Sequence, residues 1–129
     1  FNEQGKVLLL VRSHTDTHAP GRLDLPGGEV ETGEGFAQAA SREAFEETGI
    51  RIDPNSLVLA YTATAMNRQG SQSITRLLFI GHPSVTPVTL SHEHSSYDWY
   101  SLDEAIQKFT HPFYGPAMTY VQEHGLHII

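Results

Sequence analysis

Cysteine is absent from the 129 residues of this chain. Its absence excludes a disulfide scaffold, a thiol nucleophile and a zinc site built from cysteine. Basic residues are also few: 8 Lys and Arg stand against 15 Asp and Glu, giving a formal net charge of −7. Such a charge argues against binding long nucleic acid, whose phosphates need a basic surface. It still permits a small phosphorylated substrate that arrives with a metal ion.

Long apolar runs are lacking as well. The longest, Val7 to Val11, is the length of a strand, whereas a membrane helix needs about 20 apolar residues. We therefore expect no membrane partner, and since no signal peptide is visible we expect a cytoplasmic protein. The length predicts a single domain over residues 1–129. Because the chain opens with Phe1 rather than Met, we expect its extreme N-terminus to be missing.

Strand and helix patterns are mixed along the chain, without a strict alternation of the two. Apolar or alternating runs predict strands at Val7–Val11, Leu23–Leu25, Leu57–Ala65, Ser73–Ile80 and Tyr97–Tyr100. Helical patterns cover Gly35–Thr48, Leu102–Phe109 and Gly115–His124, and a polar loop covers Ser13–Gly21. The continuous apolar run of the first strand predicts burial on both of its faces. These patterns predict an α/β or α+β domain with a mixed sheet.

The helix over Gly35–Thr48 has the clearest end signals. Thr32 is suited to cap its start, Glu34 to lie in its first turn, and Gly49 to end it in a left-handed conformation. The sequence Pro26-Gly27-Gly28 precedes it, and glycines there allow a tight turn and a close approach of the backbone to a ligand.

Three glutamates, Glu43, Glu46 and Glu47, share one arc of this predicted helix. Their spacing of three and four makes them neighbours that repel by about 0.2–0.5 kcal/mol per pair, near the end where the helix dipole disfavours anions. The helix has a single cation, Arg42, placed to reach Glu46 or to fold back toward Glu34. A solvated acidic face is one interpretation. The other is a Mg²⁺ site, completed by a carbonyl of the glycine turn and by phosphate.

The segment from Gly28 to Ile50 reads GEVETGEGFAQAASREAFEETGI and is similar to the Nudix box. Every fixed position of that motif matches at the right spacing: Gly28, Glu34, Arg42, Glu43, Ala44, Glu46, Glu47, Gly49 and Ile50. The preceding Leu25-Pro26-Gly27 and the acidic stretch from His92 to Trp99 also resemble the family. One departure is Leu23, where family members often carry an aromatic residue.

The resemblance implies the Nudix fold, an α/β/α sandwich with a mixed sheet. It also implies Mg²⁺-dependent hydrolysis of a nucleoside diphosphate linked to another group, with Mn²⁺ as a substitute ion. The family's metal ligands map onto Glu43, Glu46, Glu47 and the carbonyl of Gly27, and these glutamates are the catalytic candidates. Glu34 and Arg42 resemble the pair that braces the loop against the helix.

Outside the box, Glu93 is the best candidate for a general base, because family members often carry a glutamate in this loop. A solvated loop acid is the alternative. Arg12, Arg22 and Arg76 are candidates for binding phosphate, or equally surface charges. His92 and His94 are two residues apart in a polar loop and are interpreted as surface residues rather than as a transition-metal pair.

Two functions from different classes fit the sequence. The first is a Nudix pyrophosphohydrolase, for which a nucleoside triphosphate is the default substrate because no further subgroup motif follows Ile50. The second is a catalytically silent Nudix domain that binds a nucleotide or a partner as a sensor. The intact carboxylate set favours the enzyme. We expect a monomer or homodimer whose partner is a small nucleotide or a nucleoside-diphosphate-linked substrate.

Overall fold

The computed structural model describes residues 1–15 and 19–128. Asp16, Thr17 and His18, in the middle of the predicted loop, lie outside the described residues. The elements follow in the order β1 (Val7–Arg12), β2 (Leu23–Asp24), α1 (Phe36–Thr48), β3 (Val58–Met66), β4 (Ser73–Ile80), β5 (His94–Tyr100), α2 (Leu102–Lys108) and α3 (Tyr114–Glu123), with short 3₁₀ turns at Pro54–Ser56 and Leu126–Ile128. Within the described part, no helix has both the length and the apolar character needed to cross a membrane.

The strands form two antiparallel sheets. β1 lies between β2 and β5, while β3 and β4 form a separate pair. The α+β class is confirmed, but the predicted mixed sheet is not seen, because every strand pair among the described residues is antiparallel. The tight turn after β3 gives one reason. Its hydrogen bonds, from Asn67 N to Gln72 O and from Gly70 N to Asn67 O, reverse the chain within a few residues, which only antiparallel strands allow.

Both faces of β1 are buried, as its continuous apolar run predicts. Val7 and Leu9 pack into a cluster that includes residues of α2 and α3, while Leu8 and Leu10 pack with Ile50 on the other face. Helices α2 and α3 therefore cover one side of the sheet, and the segment that follows α1 covers the other. The candidate functional residues described below lie at the end of this central strand.

Helix α1 starts differently from the prediction. Its N-cap is Gly35 rather than Thr32, and the side chain of Gln38 accepts a hydrogen bond from Gly35 N at 2.9 Å. Glu34 lies before the helix, not in its first turn, because its carboxylate is used elsewhere: it accepts hydrogen bonds from Glu31 N and from Arg42. The predicted end is confirmed, since Gly49 has φ 74°.

The end of α1 is tied to the segment that leads into β5. Thr89 N donates to Thr48 O at 2.8 Å, and Ser91 N donates to Glu47 O at 3.2 Å. β5 then begins at His94, three residues before the predicted start at Tyr97. The other bounds agree with the predictions to within one residue. The two hydrogen bonds from Thr89 and Ser91 to the end of α1 bring the start of β5 beside the glutamates of this helix.

Candidate functional site

The three glutamates of α1 differ sharply in their exposure. The residue Glu47 is 2 % exposed, whereas the side chains of Glu43 and Glu46 are 17 % and 55 % exposed. Their helical spacing makes them neighbours, but the helix turns Glu47 inward toward the sheet and leaves Glu46 at the rim. The solvated-face interpretation therefore does not describe Glu47.

The carboxyl group of Glu47 is only partly satisfied. Gly27 N donates to its Oε1 at 3.4 Å, while its buried Oε2 has no hydrogen-bond partner among the described residues. Burial raises the pKa of Glu47 to about 9, and the nearby carboxyl groups of Glu43 and Asp24 act in the same direction. A buried oxygen without a partner, surrounded by acidic groups, is the environment that a divalent cation would stabilise.

The glycine turn allows the loop to approach α1 closely. A Cβ atom on Gly28 would lie 2.5 Å from Cδ of Glu43, so the Glu43 carboxyl group packs against the backbone at a position that only glycine leaves open. A Cβ atom on Gly27 would meet nothing within 4 Å. The contact described for Gly27 is the one made by its N–H group to Glu47, and the predicted role of its carbonyl stays a prediction.

Arg42 connects the loop to the helix through several hydrogen bonds. Its Nε donates to Glu34 Oε2 at 2.7 Å and its Nη2 to Glu34 Oε1 at 3.1 Å, which makes the pair bidentate. Nη2 also donates to Glu29 O at 3.1 Å, and Nη1 donates to Glu43 at 2.8 Å and to Glu46 at 3.1 Å. The two predicted directions for Arg42, toward Glu46 and back to Glu34, thus occur together.

These hydrogen bonds shift the pKa values of the groups that form them. The hydrogen bonds that Arg42 donates hold the pKa of Glu34 below its usual range. The same contacts with Glu34 and Glu43 raise the pKa of Arg42 above its usual value. Arg42 contacts two of the three glutamates of the helix, Glu43 and Glu46, and so partly neutralises the cluster.

Glu93, just before β5, and His94, the first residue of β5, lie close to Glu47. One potential ligand atom from each of Glu47, Glu93 and His94 lies within 4.8 Å of the others. The interpretation of His94 as a surface residue is wrong, because the residue is 4 % exposed and its Nε2 lies 3.0 Å from Asp24 Oδ2. The neighbouring His92 is exposed, as expected.

Asp24 is the main functional candidate that the sequence did not reveal. Its buried carboxylate accepts hydrogen bonds from Arg12 Nη1 at 3.0 Å and from the Tyr114 hydroxyl at 2.7 Å, besides its contact with His94. Burial by itself raises the pKa of Asp24, but the hydrogen bonds from His94 and Tyr114 and the charge of Arg12 outweigh it, so the pKa is lowered. In the sequence, this role is indicated only by the position of Asp24 as an acidic residue between two leucines, Leu23 and Leu25.

The three candidate arginines lie in two environments. Arg12 forms an ion pair with Asp24 at 3.0 Å. Arg22 and Arg76 are half-buried. The pKa of His111 is lowered mainly by the burial of its own ring, and the charges of Arg76 and Arg22 lower it further. The ring of His111 stacks on that of Tyr114 at 4.5 Å. The structure therefore brings Arg22 and Arg76 to the side of the site where Tyr114 binds Asp24.

Comparison with known proteins gives relatives with the same kind of domain. A MutT-like protein of Streptomyces ambofaciens is 30 % identical over 106 residues, covering 82 % of this chain and 62 % of that protein. The CTP pyrophosphohydrolase of Escherichia coli K12 is 33 % identical over 107 residues, covering 83 % of this chain and 75 % of that enzyme. This chain spans about half the length of several other curated relatives it matches, or less.

Solved structures agree with these matches. A MutT protein from Methanosarcina mazei Go1 superposes with a TM-score of 0.80 at 31 % identity, covering 95 % of this chain and 88 % of the other. The family model described as the NUDIX domain matches residues 1–120. Together with the complete box on α1 and its preceding loop, these matches show that the chain belongs to the NUDIX domain family.

Proposed function

We propose that this chain hydrolyses a phosphoanhydride bond in a nucleoside diphosphate linked to another group, with a nucleoside triphosphate as the default substrate. The observation that carries the proposal is Glu47: a carboxyl group buried beside Glu43, with one oxygen lacking a partner. A structural glutamate would normally have both oxygens satisfied. The name of the Escherichia coli relative, a CTP pyrophosphohydrolase, supports the same class of reaction.

The residues present fit Mg²⁺, with Mn²⁺ as a substitute. Glu43, Glu46 and Glu47 offer oxygen ligands from one helix, and the carbonyl of Gly27 is proposed as a further ligand. When bound, such an ion stabilises charge on phosphoryl oxygens and lowers the pKa of a bound water. The task of this chain is to hold the carboxylates at fixed positions, and the contacts of Arg42 with Glu34, Glu43 and Glu46 support that task.

Other residues complete the proposed machinery. Glu93, within 4.8 Å of Glu47 and His94 through its carboxyl group, is proposed as the general base that takes a proton from the attacking water. Arg22 and Arg76 are proposed to bind substrate phosphate. Arg12 lies against Asp24, so we assign it to that carboxylate rather than to the substrate. The cytoplasmic location and the monomeric or homodimeric state stay predictions.

A nucleotide panel tests the proposed function. The protein is incubated with Mg²⁺ and each of the nucleoside triphosphates, ADP-ribose, a dinucleoside polyphosphate or coenzyme A, and pyrophosphate and phosphate are measured separately. Turnover of one class with a defined product supports hydrolysis. Binding of a nucleotide without turnover of any substrate would instead support the silent sensor domain and overturn the proposal.

The bridge between Glu34 and Arg42 gives a first mutational prediction. Arg42→Lys is expected to lower kcat/KM by about 10–100-fold, as is usual when a residue that orients metal ligands is changed. Lysine has one ammonium group and does not replace a planar fork that contacts Glu34, Glu43 and Glu46 together. Steady-state kinetics and Mg²⁺ binding measure the loss, and circular dichroism checks that the helix remains.

Arg51→Lys is the matched control for this prediction. Arg51 follows the same helix, is exposed and lies over the ring of Phe45 at 4.1 Å, so we expect little change in activity. In a double-mutant cycle, Glu34→Gln combined with Arg42→Lys is expected to cost little more than the worse single variant. Additive losses in kcat would show that the bridge does not act as a unit.

A second prediction concerns the close approach at Gly28. In Gly28→Ala the new methyl group would meet the Glu43 carboxyl group at 2.5–2.7 Å, and this flexible side chain is expected to swing aside. Stability then changes little, while the displaced carboxylate lowers kcat by about 10²-fold. Gly27→Ala is the comparison, because its Cβ atom meets nothing within 4 Å. Equal losses in both variants would contradict the role of the Gly28 contact.

A further inference from the structure

Arg22 and Arg76 are two half-buried cations without a carboxylate partner. In the part of the chain that the structure describes, neither guanidinium group has an ion pair or a side-chain hydrogen bond. Arg12 and Arg42, by contrast, each contact a carboxylate. A charge that is partly withdrawn from water is normally paired, and this chain has a net charge of −7. The two unpaired arginines therefore leave a position for an anion from outside the chain.

Arg22 lies on the side of β2 that faces the start of α3. It continues the pairing of β2 with β1, because Arg12 N donates to its carbonyl oxygen at 2.9 Å. Residues two apart in such a segment share one side, so the side chain of Arg22 lies on the same side as that of Asp24. The Tyr114 hydroxyl donates to Asp24 from that side at 2.7 Å.

Arg76 approaches the same place from the other sheet. In β4 it lies opposite Ala63 of β3, and the neighbouring pair on that face contains Tyr61. The ring of Tyr61 contacts that of Phe113, with centroids 5.8 Å apart. Both arginines thus face the segment from His111 to Tyr114, one from each sheet.

His111 adds a third hydrogen-bond donor. Its Nδ1 accepts a hydrogen bond from Phe113 N at 3.0 Å, and burial together with the charges of Arg76 and Arg22 lowers the pKa of the ring. A neutral ring whose Nδ1 is an acceptor carries its proton on Nε2. Among the described residues this Nε2 has no partner, and it is not one of the buried atoms. The stacking of the ring on Tyr114 at 4.5 Å fixes its plane.

We propose that Arg22, Arg76 and His111 bind a phosphate group of the substrate other than the two that form the cleaved anhydride. The three side chains offer donors only, two guanidinium groups and one imidazole N–H, which suits an acceptor-only oxyanion such as phosphate. The proposal rests on the proposed hydrolysis and narrows its substrates to those with at least three phosphate groups.

An ionised carboxylate separates this phosphate site from the glutamates of α1. Asp24 accepts from Tyr114 with Oδ1, while its Oδ2 lies 3.0 Å from His94, whose other ring nitrogen lies 3.7 Å from Glu47. Hydrogen bonds and nearby cations hold the pKa of Asp24 below its usual range, so it repels phosphate. A phosphate group bound by the arginines is therefore not the one bound at the glutamates.

Kinetics with substrates that differ in their phosphate groups test the proposal. ADP-ribose has only the two phosphates of its anhydride, a nucleoside triphosphate has a third at the end of the chain, and coenzyme A has a third on its ribose. Arg76→Gln is expected to raise KM about tenfold or more for a substrate with the third phosphate, since it removes a hydrogen bond between charged groups. For ADP-ribose the change is expected to be less than about threefold, because the site is then empty.

His111→Asn isolates the imidazole donor. The asparagine side-chain oxygen can still accept from Phe113 N, but the variant lacks Nε2–H, so KM for the same substrate is expected to rise about fivefold with kcat little changed. Arg68→Gln and His124→Asn are the matched controls, because both residues are exposed, in the β3–β4 turn and after α3. For a compound that is not hydrolysed, its inhibition constant replaces KM.

The substrate arms identify the source of the phosphate. A rise in KM for the triphosphate assigns the site to the end of the phosphate chain, and a rise for coenzyme A assigns it to the ribose phosphate. Equal rises for ADP-ribose and for the substrates with a third phosphate overturn the proposal, because the arginines would then bind the anhydride itself. Turnover of ADP-ribose alone also overturns it.

Inorganic phosphate in excess EDTA tests the site without hydrolysis. In protein labelled with ¹⁵N in its histidine rings, phosphate is expected to shift the Nε2 resonance of His111 and to leave His124 unshifted, with a weaker response in Arg76→Gln. If that variant does not fold, Arg22→Gln takes its place. An unshifted His111 resonance overturns the proposal. If no nucleotide in the panel is hydrolysed, the proposed hydrolysis fails and the phosphate titration still decides on this site, so the two failures are distinguishable.

Discussion

Glu47→Gln is expected to lower kcat by about 10³-fold or more while the protein stays folded. The change keeps the shape of the side chain and removes the charge at the buried end of the carboxylate cluster. Since charge placed where phosphoryl charge develops accounts for a large part of such catalysis, losing it costs roughly 10²–10³-fold or more. Glu46→Gln is also expected to lower kcat by powers of ten, because it removes another proposed ligand. Steady-state kinetics with saturating Mg²⁺ measures both.

The thermal stability of Glu47→Gln is expected to increase, although its kcat falls. Burial and the carboxyl groups of Glu43 and Asp24 make an ionised Glu47 unfavourable in the metal-free protein, and glutamine carries no charge there. In excess chelator, Glu47→Gln should therefore raise Tm in scanning calorimetry. Glu123→Gln, at an exposed position at the end of α3, is the control and should change neither kcat nor Tm. A lower Tm for Glu47→Gln would indicate a structural glutamate and contradict the ligand assignment.

The parts of the fold that the sequence predicts are those encoded by neighbouring residues. The apolar run of β1, the helical spacing of α1 and the glycine at its end are local patterns, and their structures agree with the predictions. The fold-back of Arg42 onto Glu34 was also predictable, because the helix offers a single cation and the loop offers an acid within reach.

The polar network at the end of β1 was not predictable in this way. Asp24 meets His94 across 70 residues and Tyr114 across 90, and no local pattern links such positions. The contacts arise because β1 pairs with β2 on one side and with β5 on the other, with a register shift that sets Arg12 opposite His94. From the sequence, a histidine in a polar loop resembles a surface residue. The hydrogen bond from Ser91 N to Glu47 O shows that this loop lies against the C-terminal end of α1.

Removal of divalent metal is the second large effect that we expect. Excess EDTA should abolish turnover, and added Mg²⁺ should restore it fully. The restoration is expected because the glutamates keep their positions without an ion: Arg42 holds Glu43 and Glu46 from one side, and Gly27 N–H holds Glu47 from the other. Full turnover of any nucleotide in excess EDTA would contradict the metal assignment.

Thermal unfolding provides a readout of the same ion without a substrate. An ion that binds only the folded state stabilises it by about 2.7 kcal/mol when its concentration is 100 times its Kd, so Mg²⁺ should raise Tm of the wild type and of Glu123→Gln. In Glu47→Gln the rise should be much smaller, although this variant starts from a higher Tm in chelator. The two effects have one origin, because the carboxyl group that the metal-free fold keeps from ionising, at a cost in stability, is the one whose charge the ion would stabilise. An equal rise in Glu47→Gln would place the ion elsewhere on the protein.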